Sequence, residues 1–170
     1  GHPLDPKSEV GPLVHTGPFE KVCSYFDIAK QDGATIAVGG VAHTEDSGTI
    51  DARGNYIVPT LFTEATNEMR ISQEEIFGPV MSVLHADNLK EAIDMVNSSS
   101  YGNAASIFTR NGGTARRFQY EVECGNIGVN IGTAAPMAFF PFSGMKDSFF
   151  GDLHGQGRDA VDFFTENKVV

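Results

Sequence analysis

The residue types and spacing best suited to chemistry are those of Glu75 and Phe77, in the stretch QEEIFGPV over residues 73–80. Its Gly-Pro pair indicates a turn, and the apolar residues after the turn favour a buried strand. If the segment before the turn is extended, side chains two residues apart lie on the same side of the chain. A carboxylate beside an aromatic face could then bind a ligand that carries both hydroxyl groups and a flat ring. From the spacing alone, the alternative of a solvated acid next to a core phenylalanine is favoured, because acids are mostly exposed and phenylalanines mostly buried.

The length and charge of the chain limit the classes of protein to which it can belong. A chain of 170 residues with 41% hydrophobic and 20% charged residues is typical of one globular domain. Its formal net charge of -10 argues against nucleic acid as a partner, because that binding needs clustered Lys and Arg. An anionic membrane surface is disfavoured on the same ground.

The two cysteines, Cys23 and Cys124, lie far apart and form no CxxC pair, so neither a disulfide framework nor a zinc ribbon is predicted. The five histidines have no ligand-like spacing, and we predict no metal site. No apolar run is long enough to span a membrane, and the first residues have no signal-peptide pattern. We therefore predict that the protein is cytoplasmic or lies in another reducing compartment.

Helical and strand patterns alternate along the chain. Apolar residues at helical spacing begin at Phe19 and predict a helix that ends near Gly33. A second helix begins after Asn88, which forms a capping-box pattern with Glu91. A third helix is predicted over 115–122, a short one over 158–164, and strands over 34–38, 56–62, 80–84, 103–109 and 127–129. This order predicts an α/β domain with a mainly parallel sheet and helices on its faces.

Two segments near the end of the chain have unusual composition. Residues 131–154 are rich in Gly, Pro, Met and Phe, and Phe139, Phe140 and Phe142 lie in their centre. A loop this apolar needs cover, either by packing within the protein or, as a pocket wall, from a ligand. Residues 165–170 are β-prone and predict a strand whose partner is not evident.

Several motifs, in the same order, resemble the aldehyde dehydrogenase superfamily. The block over 73–80 resembles the family's signature, and further matching motifs extend through essentially the whole chain: PTLF (59–62), YG (101–102), FTR (108–110), GNIGVN (125–130), PFSG (141–144) and FTENK (164–168). The resemblance covers the C-terminal portion of the catalytic domain, over residues 1–170. Residues 165–170 would be an oligomerisation strand, and the protein a homo-oligomer.

The resemblance implies roles for the first two residues. In the family, the glutamate at the position of Glu75 accepts hydrogen bonds from the nicotinamide ribose of NAD or NADP, and the phenylalanine at the position of Phe77 packs beside the nicotinamide. The family's nucleophile motif, Gly-Gln-x-Cys, does not occur in these 170 residues, and Cys124 does not match it. We therefore predict no catalytic residue in this chain and no aldehyde oxidation by the chain alone.

The segment over 125–155 resembles methylmalonate-semialdehyde dehydrogenases, the branch that transfers the acyl group to coenzyme A. Met145 departs from that branch, which usually has Trp there, and residues 11–22 resemble hydroxymuconic-semialdehyde dehydrogenases at least as well. In this interpretation Phe139, Phe140 and Phe142 line a pocket for an aldehyde substrate. The alternative from another class is a non-catalytic assembly module derived from the same family.

Overall fold

A computed structural model describes residues 1–43 and 54–170; residues 44–53, part of the stretch between the first two strands, lie outside the described residues. The chain divides into two compact units, Gly1–His85 and Ala86–Val170. The helices and strands, in chain order, are α1 (Thr16–Asp32), β1 (Thr35–Val38), β2 (Thr60–Ala65), α2 (Arg70–Gln73), β3 (Val80–Leu84), α3 (Leu89–Ser98), β4 (Tyr101–Gly102), β5 (Ala104–Ile107), α4 (Gly112–Glu121), β6 (Asn126–Val129), β7 (Met145–Lys146) and α5 (Gly157–Phe164).

The first unit is built on α1. The N-terminus of this helix is capped by the His15 side chain, which accepts a hydrogen bond from the backbone N–H of Gly17. The helix ends at Gly33, as predicted. Gly33 adopts a left-handed conformation, with φ of 96°, and its N–H binds carbonyls of the last turn. The buried face of α1 packs on β2, where Phe26 meets Phe62 edge to face with ring centroids 6.5 Å apart. Full burial of a side chain such as Phe62 contributes roughly 1.5–3 kcal/mol.

The sheet of the first unit has the order β1-β2-β3. β1 pairs with β2 antiparallel, and β2 pairs with β3 parallel, with Thr60 opposite Val80. The parallel pair requires a crossover, which is supplied by α2 and residues 74–79. The segment that contains Glu75 is thus the last part of this crossover, directly before β3.

The second unit has two small sheets among its described residues. β5 and β6 pair parallel, whereas β4 and β7 pair antiparallel. The helix α3 begins at Asn88, whose side chain accepts from the backbone N–H of Glu91 as the capping pattern predicts. The Glu91 carboxylate, however, accepts from the backbone of Asp87 and not of Asn88. Buried residues of α3, α4 and the segment before β6 form the core: Ile93, Phe118, Val122 and Cys124.

The α/β class is confirmed, but the sheets of the described residues are small and mixed, and not clearly mainly parallel as predicted. Periodicity identifies strands but not their partners. The antiparallel pairs are β1 with β2, and β4 with β7, the strand that follows residues 131–144, which we call the Phe-rich loop. Within the described chain, residues 165–170 form no strand and are exposed, because a strand needs a partner to hydrogen-bond.

Candidate functional site

The side chains of residues 75–77 alternate between solvent and core. Glu75 is exposed, Ile76 is only 7% exposed, and Phe77 is 79% exposed. Phe77 therefore does not belong to the core. Its backbone has a φ of 60°, which is rare for a bulky residue, costs of order 1–3 kcal/mol and persists only where the surrounding structure imposes it. Such an outlier is often found where a side chain must be presented to a ligand.

Two contacts with α1 impose this conformation. The Lys21 ammonium donates a hydrogen bond of 2.6 Å to the carbonyl oxygen of Glu75. Gly78 packs so closely on Val22 that a Cβ at position 78 would lie 2.4 Å from Val22 Cγ2. The segment from Glu75 to Gly78 is therefore fixed to α1 at both ends.

The neighbouring acid, Glu74, is already engaged. Arg70 donates to both of its carboxylate oxygens, at 2.8 and 3.1 Å, and the Tyr25 hydroxyl donates to one of them. The Arg70 guanidinium, followed by the Tyr25 hydroxyl, lowers the pKa of Glu74 to about 2. Sequence analysis missed this cluster, although the i, i+4 spacing of Arg70 and Glu74 signals an ion pair.

The Glu75 carboxylate has no hydrogen-bond or ion-pair partner among residues 1–43 and 54–170. The two adjacent acids thus differ: Glu74 anchors the segment, whereas Glu75 presents both oxygens to solvent beside an exposed aromatic ring. This arrangement can accept hydrogen bonds from a diol and cover one face of a flat ring.

The second unit contains a cavity of about 320 Å³ that is lined in part by the Phe-rich loop. Phe142 lines it, together with polar residues of β5 and β6 that include Ser106 and Asn126. Phe139 and Phe140 do not line it; their rings contact each other, with centroids 4.8 Å apart, and both are more than half exposed. Of the three predicted wall residues, only Phe142 therefore faces this cavity.

The residues directly after Phe142 are fixed to β6. The Asn126 side chain donates to the Ser143 carbonyl at 2.6 Å and to the Asn103 carbonyl at 3.2 Å. Gly125 lies against Gly144, where a Cβ would be 2.3 Å from the Gly144 nitrogen. Only glycine permits this approach of two backbones, so the sequence holds Phe142 close to the cavity.

The cysteines do not have the environment of a nucleophile. Burial raises the pKa of Cys124, which is 6% exposed. Burial, with a smaller effect of Glu20, raises the pKa of Cys23 on α1. A reactive cysteine needs a lowered pKa, so neither thiol suits covalent catalysis.

The side chains of Ser143, His154 and Asp159 in the second unit are arranged in space like the Ser-His-Asp triad of a hydrolase. His154 Nε2 is 3.4 Å from Ser143 Oγ, and His154 Nδ1 is 3.1 Å from Asp159 Oδ2. However, Nε2 is equally 3.4 Å from the Gly144 carbonyl oxygen, and Ser143 precedes a two-residue strand and not a strand-to-helix turn. No motif in the sequence indicates the contact between His154 and Asp159. We interpret the three as a structural contact.

The described residues contain no group of three or more His, Cys, Asp or Glu side chains that could hold a metal ion. None of the helices in the described part of the chain is both long enough and apolar enough to cross a membrane.

Comparison with known proteins confirms the resemblance over the whole chain. A sequence profile described as "Aldehyde dehydrogenase family" matches residues 1–170. Malonate-semialdehyde dehydrogenase 2 of Oceanobacillus iheyensis is 42% identical over 170 residues, which are 100% of this chain and 34% of that protein. The chain therefore spans about a third of the length of this relative.

Solved structures agree in fold. The HpcC protein of Thermus thermophilus has a TM-score of 0.90 and 40% identity, covering 98% of this chain and 32% of its own. A protein of Sinorhizobium meliloti 1021, provisionally named methylmalonate-semialdehyde dehydrogenase and solved with NAD, has a TM-score of 0.88 and 35% identity, covering 95% of this chain and 32% of its own. The profile match over every residue and the identity of these relatives show that the chain belongs to the aldehyde dehydrogenase family.

Proposed function

We propose that this chain is the part of an NAD(P)-dependent aldehyde dehydrogenase that holds the nicotinamide ribose and forms one wall of the aldehyde pocket. The observation that carries the proposal is the unpartnered, exposed Glu75 carboxylate, within the described residues, next to a Phe77 ring that is 79% exposed. Glu75 would accept hydrogen bonds from the two ribose hydroxyls, and Phe77 would cover the nicotinamide side.

The rigidity of the segment supports this role. Each charge-assisted hydrogen bond at Glu75 would contribute roughly 1.5–3 kcal/mol, and more of that gain is kept when the acceptor is already fixed. Lys21 and Gly78 provide that fixation through α1. When bound, the cofactor supplies the chemistry of hydride acceptance. The residues of this chain orient it and exclude water on one side.

We infer that the substrate is a carboxylated semialdehyde, malonate or methylmalonate semialdehyde, and that coenzyme A accepts the acyl group. The segment over 125–155 and the names of the relatives support this inference. The substrate carboxylate needs a cation. Lys146 does not suit that role, because its ammonium donates to the carbonyls of Asn97 and Ser99 and pairs with Glu123. The cation would come from outside this chain.

The chain alone would not oxidise aldehydes, because both of its thiols have raised pKa values and neither matches the family's nucleophile motif. We place the whole enzyme in the cytoplasm and expect a homo-oligomer. The second candidate is a non-catalytic assembly module. It is favoured by the exposed phenylalanines at the end of α5, Phe163 and Phe164, and by the exposed residues 165–170.

A chimera tests the proposal. In the chimera, this chain would replace the segment of the Oceanobacillus relative that it matches, which is 34% of that protein. We expect NAD-dependent oxidation of malonate semialdehyde that depends on coenzyme A, and no turnover by the 170-residue chain alone. A chimera that assembles by size-exclusion mass yet neither binds NAD nor turns over would favour the assembly module. Turnover by the chain alone, lost in Cys124→Ser, would overturn the assignment of the nucleophile to another segment.

A further inference from the structure

The turn before α5 holds the Phe-rich loop through its backbone. The N–H of Phe142 donates to the Gly155 carbonyl at 2.7 Å, and the N–H of Gly157 donates to the Ala138 carbonyl at 3.1 Å. Phe142 and Gly155 form an antiparallel bridge. The position of the one phenylalanine that lines the cavity thus depends on the position of this turn.

The turn itself is conformationally demanding. Gln156 and Gly157 both have a positive φ, of 58° and 61°. A Cβ on Gly157 would lie 2.8 Å from the carbonyl carbon of Phe140, so the turn also approaches the loop backbone closely. Such a turn persists only where surrounding contacts determine it.

The pair of His154 and Asp159 spans the turn. One carboxylate oxygen of Asp159, in the first turn of α5, accepts from the backbone N–H of His154 at 3.1 Å and faces the ring Nδ1 at 3.1 Å. The backbone N–H of His154, and then its ring, lower the pKa of Asp159, as expected of a carboxylate held by donors. Both side chains are about three-quarters covered.

The opposite edge of the His154 ring contacts the loop. Its Nε2 lies 3.4 Å from both Ser143 Oγ and the Gly144 carbonyl oxygen, and its plane packs on Phe149 with centroids 4.4 Å apart. One imidazole therefore joins the start of α5 to the residues directly after Phe142.

We propose that His154 and Asp159 act as a clasp that positions Phe142 against the cavity below the loop, and so set the width of the aldehyde pocket. The positional part of this proposal stands on the contacts above; its effect on the substrate rests on the proposed function. Both are positioning residues and neither touches the reacting atoms.

Amide hydrogen exchange of the 170-residue chain tests the clasp without requiring enzyme activity. In Asp159→Asn, the amides of Phe142 and Gly157 should exchange about tenfold faster, because a charge-assisted contact that fixes the turn is lost. The amides of β5, Ala104–Ile107, should be unchanged. The matched control is Asp162→Asn on the same helix, because the Asp162 carboxylate pairs only with the exposed Arg158, at 3.7 Å, among the contacts of the described residues. This control should leave the exchange rates of the Phe142 and Gly157 amides unchanged. Unchanged exchange in Asp159→Asn, or equal acceleration of all amides in the unit, would overturn the proposal.

A measurement on the unsubstituted chain keeps the test decisive if the variant does not fold. Long-range proton–nitrogen spectra of the neutral His154 ring should place the proton on Nδ1, which then donates to Asp159. A proton on Nε2 would contradict the clasp, since Nδ1 would then face the carboxylate without a donor.

In the chimera, Asp159→Asn should raise KM for the semialdehyde several-fold with little change in kcat. An inactive chimera with the expected exchange pattern would refute the proposed function and leave the clasp standing. An active chimera whose KM is unchanged would refute the effect of the clasp on the pocket.

Discussion

Substituting Gly78 by alanine tests how the candidate cofactor segment is held. Gly78 follows Phe77 directly, and an added Cβ would lie 2.4 Å from Val22 Cγ2 and 3.3 Å from Val22 Cγ1. Val22 is fully buried, so its methyl groups cannot turn into solvent. Gly78 does not have a positive φ, and alanine there meets a steric conflict but no left-handed strain.

The expected cost follows from these distances. Forcing a methyl group into a packed core costs typically about 1–3 kcal/mol, and the lower flexibility of alanine in the unfolded chain returns about 0.4–1 kcal/mol. We therefore expect Gly78→Ala to reduce the free energy of unfolding by roughly 1–2 kcal/mol. If Val22 is the source of the conflict, Val22→Ala removes it, and the double variant should be more stable than the sum of the two single effects by about 1 kcal/mol.

Urea unfolding of the four proteins of this cycle, followed by far-UV circular dichroism, measures the coupling. The control is Gly112→Ala in α4, where no atom lies within 4 Å of the added Cβ. It should be neutral or slightly stabilising, because alanine favours a helix. A Gly78→Ala protein within about 0.5 kcal/mol of the parent, or a cycle without coupling, would refute the account of how the segment is fixed.

Two further predictions concern titratable groups. Burial raises the pKa of both Cys23 and Cys124, so each thiol should react with a disulfide reagent near neutral pH more slowly than a free thiol does. The pH dependence of this rate gives the apparent pKa of each thiol, and a value below about 8 for either one would contradict the prediction. Arg70 lowers the pKa of Glu74 to about 2 from 4.5, so the stability that Glu74 contributes is present above pH 4.5 and lost as pH falls toward 2. Glu74→Gln should therefore flatten the loss of stability in this pH window, as measured by urea midpoints, and an unchanged slope would argue against the ion pair.

Local patterns predicted local structure well. Gly33 ends α1 and Asn88 begins α3, because the residues that terminate a helix act on backbone groups a few positions away. Glu75 and Phe77 are exposed around a buried Ile76, as their spacing of two residues suggests, although the positive φ of Phe77 shows that the segment is not a regular extended chain.

What the sequence did not reveal depends on contacts between distant residues. The left-handed backbone of Phe77 is imposed in part by Lys21, 54 positions away from the carbonyl that it binds. The pairing of β7 with β4 makes the sheets mixed, and no periodicity in a two-residue strand could have indicated it. Asp159 was overlooked because only the turn before α5 brings it to His154.

The central claim is that Glu75 holds the cofactor, and it is tested most directly by single-turnover hydride transfer in the chimera. Glu75→Gln removes the charge of the acceptor, and we expect hydride transfer to slow about tenfold or more. The control is Asp27→Asn, an exposed acid on α1 that pairs with Lys30 at 3.7 Å, and it should leave the rate unchanged. Equal rates of hydride transfer in the parent chimera and in Glu75→Gln would contradict the account.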